Sequence, residues 1–267
     1  VNGPVRELVH RGAAALLRST FWWGVAILVF TLLNMAFWPS LEESGSLAEL
    51  EDSMGDLLQA FGAQGLSTPA GYLDGQLYAF MLPLLLSGAA IAMTTSVTSG
   101  DEDAGRLELL HALPLSRPAI WLSRWVAATV AVTAIVIATT VVVLGAMVPF
   151  SLEDAGFAAV IAATIACGAL AAFHAAVAFA VGGLGGSRGL AIGAAVGVLL
   201  AGYVLGFVLP IDESLAGART WSPWNWAIGE QPVSDGVGLG LVTVLLCTVA
   251  LVAAGTWGVT RRDIRTP

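Results

Sequence analysis

The residues best equipped for chemistry crowd into one short stretch, SGDEDAGRLELLHALPLSRP, at positions 99–118. It holds four carboxylates (Asp101, Glu102, Asp103 and Glu108), two guanidinium groups (Arg106 and Arg117) and one imidazole, His111. Such groups can transfer protons, ligate metals or hold phosphate. The rest of the sequence argues against each use. His10, His111 and His174 are scattered and Cys167 and Cys247 are solitary, so no metal-ligand spacing forms. The chain has no lysine, hence no G-x-x-x-x-G-K-[ST] phosphate loop, and no G-x-S-x-G nucleophile elbow. No catalytic, metal or cofactor site is expected in this chain. A charge run is often a solvated loop, but here the acids alternate with Leu107, Leu109, Leu110 and Leu113, a mixture suited to docking another molecule.

The elements around that stretch belong to a membrane. The 267 residues are 57% hydrophobic and 11% charged, with mean hydropathy +0.83. Apolar runs longer than the roughly 18 residues needed to cross a bilayer use most of the length. The composition therefore predicts an all-α integral membrane protein, a single transmembrane domain over 1–267. Six spans are expected, at 20–38, 76–97, 120–148, 156–182, 190–209 and 237–259, each bounded by Gly, Pro or charged residues. Both cysteines fall in apolar runs, where a thiol behaves as a small hydrophobe. No small-residue cleavage site follows the first run, so a removable signal peptide is not expected.

Charge sets the orientation. Ten of the eleven arginines fall on the side that holds both termini, and only Arg219 falls on the other. Thirteen of the nineteen acids lie opposite, which divides the formal charge of -8 into about -12 outside and +4 inside. By the positive-inside rule both termini are cytoplasmic. The nine tryptophans lie near span ends or in the outer loop, at headgroup level.

Two amphipathic segments flank the spans. Residues 1–19 place Val5, Leu8, Val9, Gly12 and Leu16 on one side and Arg6, Glu7, His10 and Arg11 on the other, as in an interfacial helix lying on the cytoplasmic leaflet. In the first outer loop, Leu47, Leu50, Met54, Leu57 and Leu58 share one side of a short helix. Within the spans, Arg124 is the only Asp, Glu, Lys or Arg, which disfavours an internal ion motor. Asn34, Thr133 and His174 are read as hydrogen-bonders between helices or as pathway lining. Gly189, Gly193 and Gly197 recur every four residues and form a stripe for close helix packing, within this chain or against a second copy.

The charged stretch is predicted to be a short helix outside the membrane, 101–113, stopped by Pro114. Its segment EDAGRLELLHALPLSR resembles the cytoplasmic connection between the second and third spans of type 2 ABC exporter permeases. Glu102, Gly105, Leu107, Glu108, Leu110, Pro114, Ser116 and Arg117 occupy the positions of that pattern, while Arg106 stands where the family usually has a small hydroxyl residue. The resemblance extends to an interfacial helix, six spans, both ends inside, and an SPWNW-like stretch ahead of the sixth span. It implies that 101–113 is a coupling helix. Asp101, Glu102, Asp103, Gly105, Arg106, Leu107, Glu108, Leu110 and His111 would then meet a cytoplasmic ABC ATPase subunit.

The same resemblance implies the missing motor. ATP and Mg would bind the partner ATPase, and two permease chains, identical or related, would form the pathway in the lipid of a bacterial cell membrane; no nucleic-acid partner is expected. Spans with few polar residues suit a hydrophobic or amphipathic cargo such as a drug, antibiotic or lipid. Two other readings make different demands. A non-transporting scaffold would recruit a partner through the same helix, and an ion-coupled carrier would depend on His174.

Overall fold

The computed structural model describes residues 3–60, 65–107 and 115–262. Among these the chain is helical, with no strand. In chain order the helices are α1 (Gly3–Ala36), α2 (Trp38–Ser44), α3 (Ser46–Ala60), α4 (Pro69–Leu73), α5 (Met81–Val97), α6 (Ser99–Asp103), α7 (Arg117–Met147), α8 (Phe157–Gly183), α9 (Arg188–Tyr203), α10 (Pro223–Ile228) and α11 (Gly240–Arg261). Six helical stretches are long and apolar enough to cross a membrane, built on α1, α5, α7, α8, α9 and α11. Among the described residues the expected number of spanning helices, six, is therefore present.

Burial divides the spans into a centre and a shell. In the second and fourth spans, 67% of the most apolar stretch is buried, against 28% in the first, fifth and sixth. α5 and α8 thus form the core. The shell exposes large apolar side chains such as Phe21, Leu33, Ile137, Val141, Leu246 and Val249. A surface so apolar is stable facing lipid, where it needs no water.

α1 differs from expectation in one respect. From Gly3 on, the amphipathic segment expected over 1–19 is not a separate interfacial element, because α1 runs unbroken from there into the first span. Its 34 residues extend about 51 Å at 1.5 Å per residue, well beyond a hydrocarbon core of about 30 Å. Sequence spacing explains the continuity. Leu8, Gly12, Leu16, Gly24, Ile27, Thr31 and Met35 are buried at helical intervals along one stripe. Part of that stripe lies on α7, where a Cβ on Gly12 would lie 2.9 Å from that of Ala127.

The other end of the bundle is closed by polar clamps. The second span starts early, with Thr68 capping α4 through a bond from the Gly71 amide to Oγ1 (3.1 Å), then widens into a π-helical turn over Asp74–Tyr78. Asp74 is fully buried there. Its carboxylate accepts from the amides of Val233 (2.8 Å) and Ser234 (2.9 Å) and from the Ser234 hydroxyl (2.8 Å), which ties this turn to the segment ahead of α11. The SPWNW stretch forms α10 with Ser222 as its cap. Trp224 is buried and donates from Nε1 to the Leu199 carbonyl at 3.0 Å, while the Ser222 hydroxyl donates to that of Gly202 at 2.6 Å. In the segment after α2, α3 bends at Met54; Leu47 is buried, whereas Leu50 and Met54 are exposed.

Candidate functional site

The described part of the charged stretch, 99–107 and 115–118, lies where the second, fourth and sixth spans end and the third begins. Thr98 breaks α5 with φ -109 and ψ -100, and its carbonyl then accepts from the amides of Asp101 (3.0 Å) and Glu102 (3.1 Å) to start α6. Gly105 ends this turn at φ +68, a left-handed conformation that favours glycine. Beyond it Leu107 is buried with Leu8, Ile120, Trp121, Phe179 and Val259, an apolar pad drawn from four spans. α6 also presses on the end of α8, where a Cβ on Gly182 would meet the Ser99 hydroxyl at 2.6 Å.

Successive residues on a helix point about 100° apart, so three consecutive acids leave in three directions. Each reaches a different span. Asp101 accepts from Arg106 Nε at 2.8 Å and lies 3.4 Å from Nη2 of Arg124 on α7. Glu102, only 2% exposed, is held by the Arg262 guanidinium on both oxygens, at 2.7 Å from Nη2 to Oε2. Asp103 accepts from the Arg188 amide at 2.9 Å, at the first turn of α9, where the helix dipole favours an anion. Arg262 also donates to the carbonyls of Gly183 (2.9 Å) and Gly182 (3.1 Å), and its own carbonyl accepts from Arg117 at 2.8 Å. These bonds gather the starts or ends of the third to sixth spans around α6. The start of α1 and the end of α11 therefore lie at this end, since Leu8 and Val259 share the apolar pad.

The geometry revises the expected contact surface. A single helix over 101–113 is not formed across the described part, because α6 stops at Asp103 and the chain turns at Ala104 and Gly105. Asp101 and Glu102 face inward and are spent within the chain, while Asp103, Ala104 and Arg106 are exposed. Glu108, Leu110 and His111 lie outside the described residues. Arg6, Glu7, His10 and Arg11 occupy the exposed side of α1, with Arg11 Nε donating to Glu7 at 2.7 Å.

The other predicted positions do not converge. Asn34 donates to the Gln76 carbonyl at 3.5 Å, and its own carbonyl accepts from the Tyr72 hydroxyl at 2.7 Å. His174 is buried with Nδ1 at 3.1 Å from the Ser87 hydroxyl, a bond between the fourth and second spans. Thr133 is exposed on the wall of a groove of about 460 Å³, shared with Thr94, Trp125, Thr129, Thr140 and Gly168. Gly189, Gly193 and Gly197 are exposed, and a Cβ on any of them meets nothing within 4 Å, so among the described residues no helix packs on that stripe. The close approach is made elsewhere. A Cβ on Gly183 would collide with the Gly255 carbonyl, and one on Gly258 would lie 2.7 Å from that of Gly183.

Sequence reasoning thus missed Arg262, Arg124 and Arg188 as partners of the three acids. Arg188 and Arg262 were visible only as topology markers, and Arg124 as the one charge inside a span. The comparisons with known proteins fit this architecture. The profile of the family described as ABC-2 family transporter protein matches residues 8–223, which takes in most of α1, the charged stretch and five of the six spans and stops ahead of α11. No curated protein matches the chain. Helical membrane architecture and family profile agree, and this chain belongs to the ABC-2 family of transporter proteins.

Proposed function

We propose that the chain is the membrane subunit of an ATP-driven exporter, with residues 99–107 as the place where a cytoplasmic ABC ATPase subunit pushes. The single observation that carries this reading is the fan of Asp101, Glu102 and Asp103 onto the third, sixth and fifth spans. A force on α6 has three rigid routes into the bundle. The ATPase meets Asp103, Ala104 and Arg106, while Asp101 and Glu102 transmit. ATP and Mg bind the ATPase, and this chain performs no hydrolysis. Two permease chains, identical or related, form the pathway in a bacterial cell membrane with both termini in the cytoplasm. The apolar groove lined by Thr94, Trp125 and Thr133 supports a hydrophobic or amphipathic cargo.

The test is to co-purify the ATPase with the full chain and reconstitute both in proteoliposomes. Arg106→Gln, at a side chain 60% exposed, is expected to reduce retained ATPase about tenfold, a loss typical of one charge-assisted contact, while lowering stability by no more than the ~1 kcal/mol of a surface ion pair. Apolar compounds are expected to accelerate ATP turnover in the unmodified complex. Turnover that no such compound changes would point to a scaffold without transport, and flux driven by a proton or sodium gradient alone would point to an ion-coupled carrier.

A further inference from the structure

The geometry assigns Arg262 as the positioning residue that makes the coupling segment, the end of the fourth span and the end of the sixth span move as one body. This rests on the reading of residues 99–107 as the docking element and extends it by naming the span ends that travel with it. The family match stops at residue 223, ahead of Arg262.

One guanidinium does the joining. It donates to both oxygens of Glu102 on α6 and to the carbonyls of Gly182 and Gly183 in the last turn of α8. Carbonyls in a helix's last turn lack intrahelical partners and carry the negative end of its dipole, so a cation is favoured there. Arg262 directly follows α11 in extended backbone (φ -118, ψ 157), which ties the sixth span to the same group. Its carbonyl takes Arg117 Nη1 at 2.8 Å, adding the start of the third span. The contact beneath is equally unyielding. Gly183 meets Gly255 and Gly258 backbone to backbone, with no side chain between to absorb a relative shift. Lysine could supply the charge but not the planar fork that spans a carboxylate and two carbonyls at once.

The experiment uses the full chain in lipid nanodiscs with Arg262→Ala, Arg262→Lys and Glu102→Gln, read by amide hydrogen exchange. Exchange over residues 99–103 and 182–186 is expected to rise together, on the order of tenfold or more in Arg262→Ala and less in the other two, because charged hydrogen bonds are lost. The middle of the spans stays protected. Unchanged protection of either segment in all three variants overturns the assignment, and Arg262→Lys with Glu102→Gln decides it if Arg262→Ala does not fold.

A second readout addresses coupling. In a chain with Cys167 and Cys247 replaced by alanine, Leu239→Cys, 89% exposed near the far end of α11, is labelled with a maleimide with and without ATP and vanadate on the co-purified ATPase. Arg262→Ala is expected to keep the ATPase but lose the nucleotide-dependent change in labelling, with partial rescue by lysine. A full nucleotide response in Arg262→Ala overturns the role in coupling. If no ATPase accompanies the unmodified chain, the exporter reading fails, while hydrogen exchange still decides whether the three segments form one body.

Discussion

Asp101 shows how a single residue on α6 combines stability with function. Its carboxylate faces Arg106, which is exposed, and Arg124, whose side chain is only 9% exposed. Asp101→Ala returns Arg106 to water but strands Arg124, at a cost of ~3–5 kcal/mol, the usual penalty for an uncompensated buried charge. Asp101→Leu combined with Arg124→Met removes both charges and is expected to recover most of that loss, because two well-packed apolar residues need no pairing. Thermal unfolding of the single and double variants in lipid decides this. A double variant as unstable as the single one would show that Arg124 serves packing more than pairing. The need of Arg124 for a partner was legible in the sequence, since an arginine inside a span must pair or reach the interface. Which acid would serve it was not, because Asp101, Glu102 and Asp103 differ only in the direction the helix gives them.

At the scale of elements, hydropathy found six long apolar helices because lipid imposes a minimum apolar length. It could not separate α1 from an interfacial helix. The amphipathic pattern of residues 1–19 is the same whether the opposite side meets lipid headgroups or α7, and the structure uses Leu8, Gly12 and Leu16 against protein. Glycine packing was legible only as a class. With 31 glycines in the chain, regular spacing drew attention to Gly189, Gly193 and Gly197, whereas the tight crossing falls on Gly183 against Gly255 and Gly258. That pairing joins residues more than seventy positions apart and has no local signal. The two sites respond differently to bulk. Gly183→Val is expected to prevent α8 and α11 from closing and to abolish a monodisperse chain in size-exclusion chromatography, while Gly193→Ala folds normally because its Cβ enters open space. A stable, monodisperse Gly183→Val chain would contradict the crossing.

For the whole molecule, the arginine count and the contacts give one consistent polarity. Leu8, the α6 hub and Val259 meet at one end, where Arg106, Arg124 and Arg262, three of the arginines that mark it in the sequence, pair with Asp101 and Glu102, and the Arg188 amide meets Asp103. Charge counting therefore located the arginine-rich end without revealing its wiring, since a count depends on which loop holds a charge and an ion pair depends on which atom it touches. In a cysteine-free background, Leu215→Cys on the opposite end is expected to react with a membrane-impermeant maleimide in intact cells, and Arg106→Cys only after permeabilisation. The reverse pattern would invert the orientation. The central claim is that an ATP-hydrolysing subunit engages residues 99–107, and its most direct test is a photo-crosslinking amino acid at Arg106 in the full chain in its native membrane, with Leu215 as the control position. The account predicts a nucleotide-binding ABC ATPase joined at Arg106 and absent at Leu215; crosslinking at Arg106 that yields no ATP-binding protein would contradict it.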